Sequence, residues 1–189
     1  MEGRGGALIR ENKLISSIQK TGSRKAADEL IRNYYDEIYV YAYKQILDKH
    51  IAMDVTQNIF ISMLHSLPIY DREKAGFRTW LYRIATNKII DYFRKKSAER
   101  RAIVDIGEYE IQDQNVFTFD IENQELILRL QNFINAFDMN SQQIFRLKIF
   151  GECNFSQIAT SLSLPESTVK SKYYRLLKII REEFKDEYH

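Results

Sequence analysis

Residues 86–96 read TNKIIDYFRKK, and within them Asn87, Asp91 and Arg94 recur at steps of four and three. Those steps keep side chains on one side of a helix. Arg83 stands one turn earlier, and at ~100° per residue the four fall within roughly 80° of one another. The asparagine amide donates and accepts, the carboxylate accepts, and the guanidinium groups donate. A stripe of that mixture can read base edges as well as hold phosphates. Trp80, Tyr82 and Phe93 lie around it. Exposed rings there would stack on unpaired bases, each worth roughly 1–3 kcal/mol. The opposite side carries Phe77, Leu81, Ile84, Ala85, Ile89 and Tyr92, which need a core. The alternative is an amphipathic helix with a mixed surface and charge pairs four apart, such as Asp91 with Lys95.

A second constellation lies near the C-terminus, in NFSQIATSLSLPESTVKSKYYRLLKIIR. Asn154 can cap a short helix, with Gln157 three residues later completing a capping box. Ile158, Ala159 and Leu162 line one side of that helix, and Val169, Leu176 and Ile180 line the buried side of the next. Two short helices on a tight turn, the second basic, match a helix-turn-helix. Lys170, Ser171, Lys172, Tyr174 and Arg175 lie away from the apolar stripe. Ser167 and Thr168 stand in the opening PEST, where free backbone N–H groups can meet a phosphate. The same pattern fits a plain helical hairpin with a basic face. The turn holds Ser163, where such turns often carry glycine.

The elements that position these residues read as helices throughout. KAADELIRNYYDEIYVYAYKQIL places Leu30, Ile31, Tyr34, Tyr35, Ile38 and Tyr41 at helical intervals. Asp48 can cap the next helix, which Pro68 ends after Leu67. PIYDREKAG is a polar loop, and a third helix runs from about Phe77 to Lys96. NSQQIFRLKIF starts at a cap and stops at Gly151. The expected fold class is all-α: two small helical bundles joined by an acidic linker, the second containing the helix-turn-helix. The expected division is 1–24 as an N-terminal extension with the start of the first helix, 25–101 as the first domain, 102–121 as the linker and 122–189 as the second domain.

The 189 residues carry 28 Lys and Arg against 26 Asp and Glu, a net charge of +2. The distribution is uneven. Residues 72–101 hold ten bases and three acids, net +7, while 103–125 hold seven acids and no base, net −7. Residues 170–181 hold five bases and no acid. Basic blocks on two helices, with aromatics in the first, point to nucleic acid. No apolar run approaches the ~20 residues of a membrane span. The polar N-terminus does not resemble a secretory signal. One cysteine, Cys153, leaves no internal disulfide or cysteine-based zinc site, which fits a cytoplasmic setting. The three histidines, His50, His65 and His189, form no motif, and there is no phosphate-cradling glycine loop. No catalytic residue, metal site or cofactor is expected.

Taken in order, DVTQNIFISML, GFRTWLYRIATNKIIDYFRKK and the C-terminal stretch above resemble a bacterial RNA polymerase sigma factor of the extracytoplasmic-function group. The resemblance runs from about Lys25 to Arg181. It implies a non-enzymatic protein that binds core RNA polymerase and directs promoter-specific initiation. The first domain would grip the beta-prime clamp helices and open the minus-ten element, and the second would bind the minus-thirty-five element. The implied polymerase-binding residues are Asp54, Gln57, Phe60 and Ile61. On a helical wheel Asp54, Gln57 and Ile61 also cluster within ~60°, away from Val55, Ile59 and Met63. Arg78, Trp80, Tyr82, Arg83, Asn87, Asp91, Arg94 and Lys95 would meet minus-ten DNA. Ser167, Thr168, Lys170, Ser171, Lys172, Tyr174 and Arg175 would meet the minus-thirty-five element. The resemblance also implies a cognate anti-sigma factor and no membrane insertion. The other reading is a polymerase-independent helix-turn-helix regulator with an N-terminal sensor or dimerisation bundle.

Overall fold

The computed structural model describes residues 4–104 and 121–185. Most of the stretch read as the acidic linker, 102–121, lies outside the described residues. Among the described residues there is no strand, and the helices are α1 (Arg4–Thr21), α2 (Arg24–Ile46), α3 (Lys49–Ser66), a 3-10 turn (Leu67–Ile69), α4 (Phe77–Val104), α5 (Ile121–Asn135), α6 (Met139–Ile149), α7 (Phe155–Leu162) and α8 (Glu166–Glu183). The all-α expectation holds. No helix among the described residues is long and apolar enough to cross a membrane.

The chain divides into two compact units, Met1–Ala85 and Thr86–His189. The division falls inside α4 rather than in the acidic stretch. Residues 86–97 of α4 share the second unit with α5 and α6, and Phe93, Ser97, Gln131 and Asn135 line one groove there.

In the first unit, helix boundaries follow local chemistry. Gly22 sits at φ 62°, a conformation that favours glycine, and its N–H returns to the Ile18 carbonyl at 2.8 Å. Ser23 then caps α2 by accepting from the Ala26 N–H. The N-terminal segment is therefore a helix of its own, turned sharply from α2, and not the lead-in to a single first helix. Asp48 caps α3, accepting from the Ile51 N–H at 2.9 Å. Helix α3 stops at Ser66, and Pro68 shapes the 3-10 turn that follows. Leu30, Ile38, Tyr41, Ala42, Ala52, Ile59, Met63, Leu67 and Leu81 form the buried centre. The Gln19 amide donates to the Leu67 and Tyr70 carbonyls, both at 2.9 Å, and so fixes α1 to the start of the polar loop. The Tyr70 hydroxyl spans that loop to the Ala75 carbonyl at 3.0 Å, while its ring packs 4.8 Å from Trp80.

Three tyrosines of this unit are held neutral. Burial, and then a hydrogen bond to Glu11, push the Tyr34 hydroxyl far above the ordinary phenol range. Burial and a hydrogen bond to Glu37 do the same for Tyr82. Burial raises Tyr70 to about 12. A raised phenol pKa in the folded state stabilises the fold fully below the unfolded value of about 10, and that contribution disappears as pH rises through the folded value. The melting temperature should therefore begin to fall above about pH 10, with Tyr82→Phe showing a shallower fall. Tyrosinate absorbance followed against helical circular dichroism tests this. Free titration of all twelve tyrosines near pH 10 with the helices intact would contradict it.

In the second unit, Ile134, Phe145 and Leu176 form a cluster with Leu130, Phe137, Phe150, Leu177 and Ile180 packed around it. Asp138 caps α6, two residues ahead of Asn140, the residue read as its start. After α6 the left-handed residue is Glu152 (φ 53°), not Gly151. The capping box at Asn154 and Gln157 is present in both directions at 2.8 Å. Every residue of α6 from Ser141 to Leu147 is buried, including Gln142, Gln143 and Arg146. Arg146 donates to Gln131 and Asn135 at 2.8 Å, and its guanidinium lies 5.2 Å over the Phe93 ring. The Gln131 amide nitrogen and the Gln142 amide oxygen are buried with no partner. Each such atom costs about 1–3 kcal/mol.

Candidate nucleic-acid interface

The stripe on α4 sorts into a solvent side and a buried side. Asn87, Asp91, Arg94 and Lys95 are exposed and Arg83 is half-buried. Asp91 accepts from Arg94 at 2.7 Å, and Lys95 pairs with Glu99 at 3.8 Å, in place of the pair between Asp91 and Lys95. Exposed pairs contribute roughly 0–1 kcal/mol, so a phosphate can displace either one. Asn87 accepts from the Gln143 amide of α6 at 2.6 Å.

The aromatic part of the expectation does not hold. Trp80, Tyr82 and Phe93 are all buried, and none presents a face to a base. Trp80 packs against Tyr70 and Phe77, Tyr82 lies 4.7 Å from Tyr41, and Phe93 lies beneath Arg146. The apolar face of α4 is wider than one stripe, and rings of this size bury large areas to stabilise it. Arg78 is likewise engaged within the fold. Its Nε donates to Glu37 at 2.6 Å, and its guanidinium lies 4.3 Å over the Tyr82 ring. It ties α4 to α2.

On α3 the surface residues Asp54, Gln57 and Ile61 share one exposed side, with Met53 beside them. Ile61 is 53% exposed. Phe60, the fourth residue of this set, is 5% exposed and stacks on Tyr35 at 6.0 Å, so it belongs to the core. The difference is measurable: Phe60→Ala should cost about 3–5 kcal/mol of stability, and Asp54→Ala or Gln57→Ala within about 0.5. Equal effects in chemical denaturation would contradict this placement.

The helix-turn-helix is formed by α7 and α8. Ser163 takes the left-handed conformation at φ 55°, with the Leu164 N–H returning to the Ala159 carbonyl at 3.0 Å. The turn thus closes as a glycine-bearing one does, with serine accepting the strain. Ile158, Val169 and Leu176 are buried as the spacing predicts. Tyr173 is buried as well, while Tyr174 is 59% exposed. Ser167, Lys170, Ser171 and Arg175 are exposed, and Thr168 and Lys172 are half-buried. Lys170 pairs with Glu166 at 2.6 Å. Lys172 reaches Asp138 at 3.3 Å, and the Ser171 hydroxyl donates to the Thr168 carbonyl. The Ser141 hydroxyl, with help from its N–H and Lys172, holds the Asp138 carboxyl below its ordinary range. Lys148 lies 5.0 Å over the Phe155 ring, which also packs against Tyr173 and Tyr174.

Glu37, Asp138 and Gln143, which engage Arg78, Lys172 and Asn87, have no local signature. They lie 41, 34 and 56 residues from their partners.

Comparison with known proteins shows what the chain is similar to. Residues 30–99 match the family model for Sigma-70 region 2. The ECF RNA polymerase sigma factor SigW of Bacillus subtilis (strain 168) is 27% identical, over 92% of this chain and 96% of its own length. The ECF RNA polymerase sigma factor SigX of the same organism is 24% identical, over 81% and 80%. The fold is similar to that of CnrH, solved in complex with the cytosolic domain of CnrY, at a TM-score of 0.60 and 19% identity, covering 96% of this chain and 98% of that one. A region 2 match followed by a helix-turn-helix is what the chain has in common with sigma-70-type proteins, and its relatives are sigma factors of the extracytoplasmic-function group.

Proposed function

We propose that this chain is a sigma factor that binds core RNA polymerase and directs promoter-specific transcription initiation, acting as a DNA-binding subunit and not as an enzyme. The observation that carries the reading is the Sigma-70 region 2 match over residues 30–99, followed by the helix-turn-helix of α7 and α8. A regulator working without polymerase has no need of that first element.

In this reading, residues 25–101 serve the polymerase and the minus-ten element, and 122–189 serve the minus-thirty-five element, with 102–121 as an acidic connection. The solvent side of α3, Asp54, Gln57 and Ile61, meets the beta-prime clamp helices. Arg83, Asn87, Asp91, Arg94 and Lys95 meet the separated minus-ten strand, with Asn87 and Asp91 on base edges and Arg94 and Lys95 on phosphates. The exposed side of α8 enters the major groove, with Arg175 and Tyr174 reaching furthest and Ser167 and Thr168 at its N-terminus near a phosphate. The bond from Ser171 back to its own helix and the pairing of Lys172 with Asp138 move both toward positioning. The protein works in the cytoplasm, under a cognate anti-sigma factor. The fold shared with CnrH, which was captured with the cytosolic domain of CnrY, supports that partner.

Co-purification of the tagged chain with core polymerase tests the reading. Stoichiometric recovery is the expected result. Failure to bind core enzyme, with the chain folded by circular dichroism, would remove the basis of the assignment. Among variants, Asn87→Ala and Asp91→Ala should change which minus-ten sequences are used, whereas Arg94→Ala should weaken all promoters alike. A uniform loss from all three would show that the stripe does not read sequence.

A further inference from the structure

We propose that Asp138 withholds Lys172 from the DNA backbone, so that α8 meets the minus-thirty-five element with one phosphate-binding cation fewer than its sequence offers; this rests on α8 being the reader of that element, as given above. Asp138 stands at the N-cap of α6 and Lys172 on α8, 34 residues apart, and both belong to the second compact unit. The Lys172 Nζ donates to the two carboxylate oxygens at 3.3 and 3.5 Å.

The carboxylate is anchored by its own helix. Its Oδ2 accepts from the Ser141 hydroxyl at 2.6 Å, and its Oδ1 from the Ser141 N–H at 3.2 Å. Lys172 is half-buried and lines a recess of about 170 Å³ with Phe137, Arg175, Leu176 and Ile179. Lys170 differs. Its partner, Glu166, lies one turn earlier on the same helix, and an exposed pair of that kind gives way to a phosphate. A phosphate that draws Lys172 away leaves the anchored Asp138 charge uncompensated beside it. The two anions repel, so the exchange gains little. A neutral pair at this edge of α8 leaves base contacts to Arg175 and Tyr174 and removes one sequence-independent contact. The module then grips arbitrary DNA less, with its base preference kept.

The test is holoenzyme binding to promoters with the minus-thirty-five element intact or scrambled, measured across a salt series. Asp138→Asn keeps an equally good N-cap and removes the charge. It should bind both templates about 3- to 10-fold more tightly, with the salt slope steeper by about one unit and the preference for the intact element unchanged. Asp138→Ser, another good cap, should behave alike, and decides if the asparagine variant does not fold. Lys172→Met should keep the wild-type slope. In the Asp138→Asn/Lys172→Met double variant the steeper slope should return to the wild-type value. A Lys172→Met slope shallower by about one unit would place the lysine on a phosphate already and overturn the proposal. An unchanged slope in both Asp138 variants overturns it too, as does a steeper slope that persists without Lys172. The reading itself is checked separately: if wild-type holoenzyme binds the intact and scrambled templates alike, α8 does not read the element, and the proposal falls with it.

Discussion

A holoenzyme carrying Lys170→Ala, Tyr174→Ala and Arg175→Ala should no longer distinguish a promoter with an intact minus-thirty-five element from one with that element scrambled. The three side chains stand exposed on α8, and Val169, Tyr173 and Leu176 hold the other side in the core. Removing them leaves the fold of α7 and α8 in place. Losing one base-reading contact is worth roughly 1–3 kcal/mol, so the preference for the intact element should fall at least about fivefold. Lys170 must leave Glu166 to reach a phosphate. That exposed pair is weak, and the lysine should contribute mainly to salt dependence, with the slope dropping by about one unit when it is removed. Arg175 offers a planar fork that a lysine lacks, so sequence preference should follow Arg175 more than Lys170. A triple variant that separates the two templates as wild type does would exclude α8 as the reader.

The second large effect is expected on α3. The triple variant Asp54→Ala/Gln57→Ala/Ile61→Asp should bind core polymerase at least about thirtyfold more weakly, since central interface residues cost about 2 kcal/mol or more. Its melting temperature should barely change, because these side chains stand in solvent while Val55, Ile59 and Met63 hold the core. Binding can be followed by surface plasmon resonance on immobilised core enzyme. Undiminished binding would move the polymerase contact to another surface. A collapsed melting temperature would make these residues structural.

Much of this architecture is legible from residue spacing. Caps at Asp48 and Asn154, the stop at Pro68, and the inward positions of Ile158, Val169 and Leu176 depend on interactions within a few residues, which a pattern can express. Ile61 was readable as exposed because an apolar residue on the polar side of a helix stands out. Two kinds of feature were not legible. The first is the fate of aromatics beside a polar stripe. Trp80, Tyr82 and Phe93 sit where a wheel alone cannot tell core from reading surface, and only the partners Tyr70, Tyr41 and Arg146 place them inside. The second is polar pairing across the fold. Gln142, Gln143 and Arg146 have the composition of a surface, yet they are buried, with Arg146 held by Gln131 and Asn135 and Gln143 by Asn87. Glu37 and Asp138 likewise bind Arg78 and Lys172 through contacts that no local pattern encodes.

Run-off transcription with purified core polymerase tests the central claim most directly. Core enzyme supplied with this chain should start RNA at discrete sites on a genomic template library. Upstream of each start should lie a shared pair of elements, about one minus-ten and one minus-thirty-five spacing away, absent when the chain is omitted. The chain alone should give no footprint at those sites. No defined start sites, or tight sequence-specific duplex binding by the chain without polymerase, would contradict a sigma factor and favour a self-sufficient helix-turn-helix regulator.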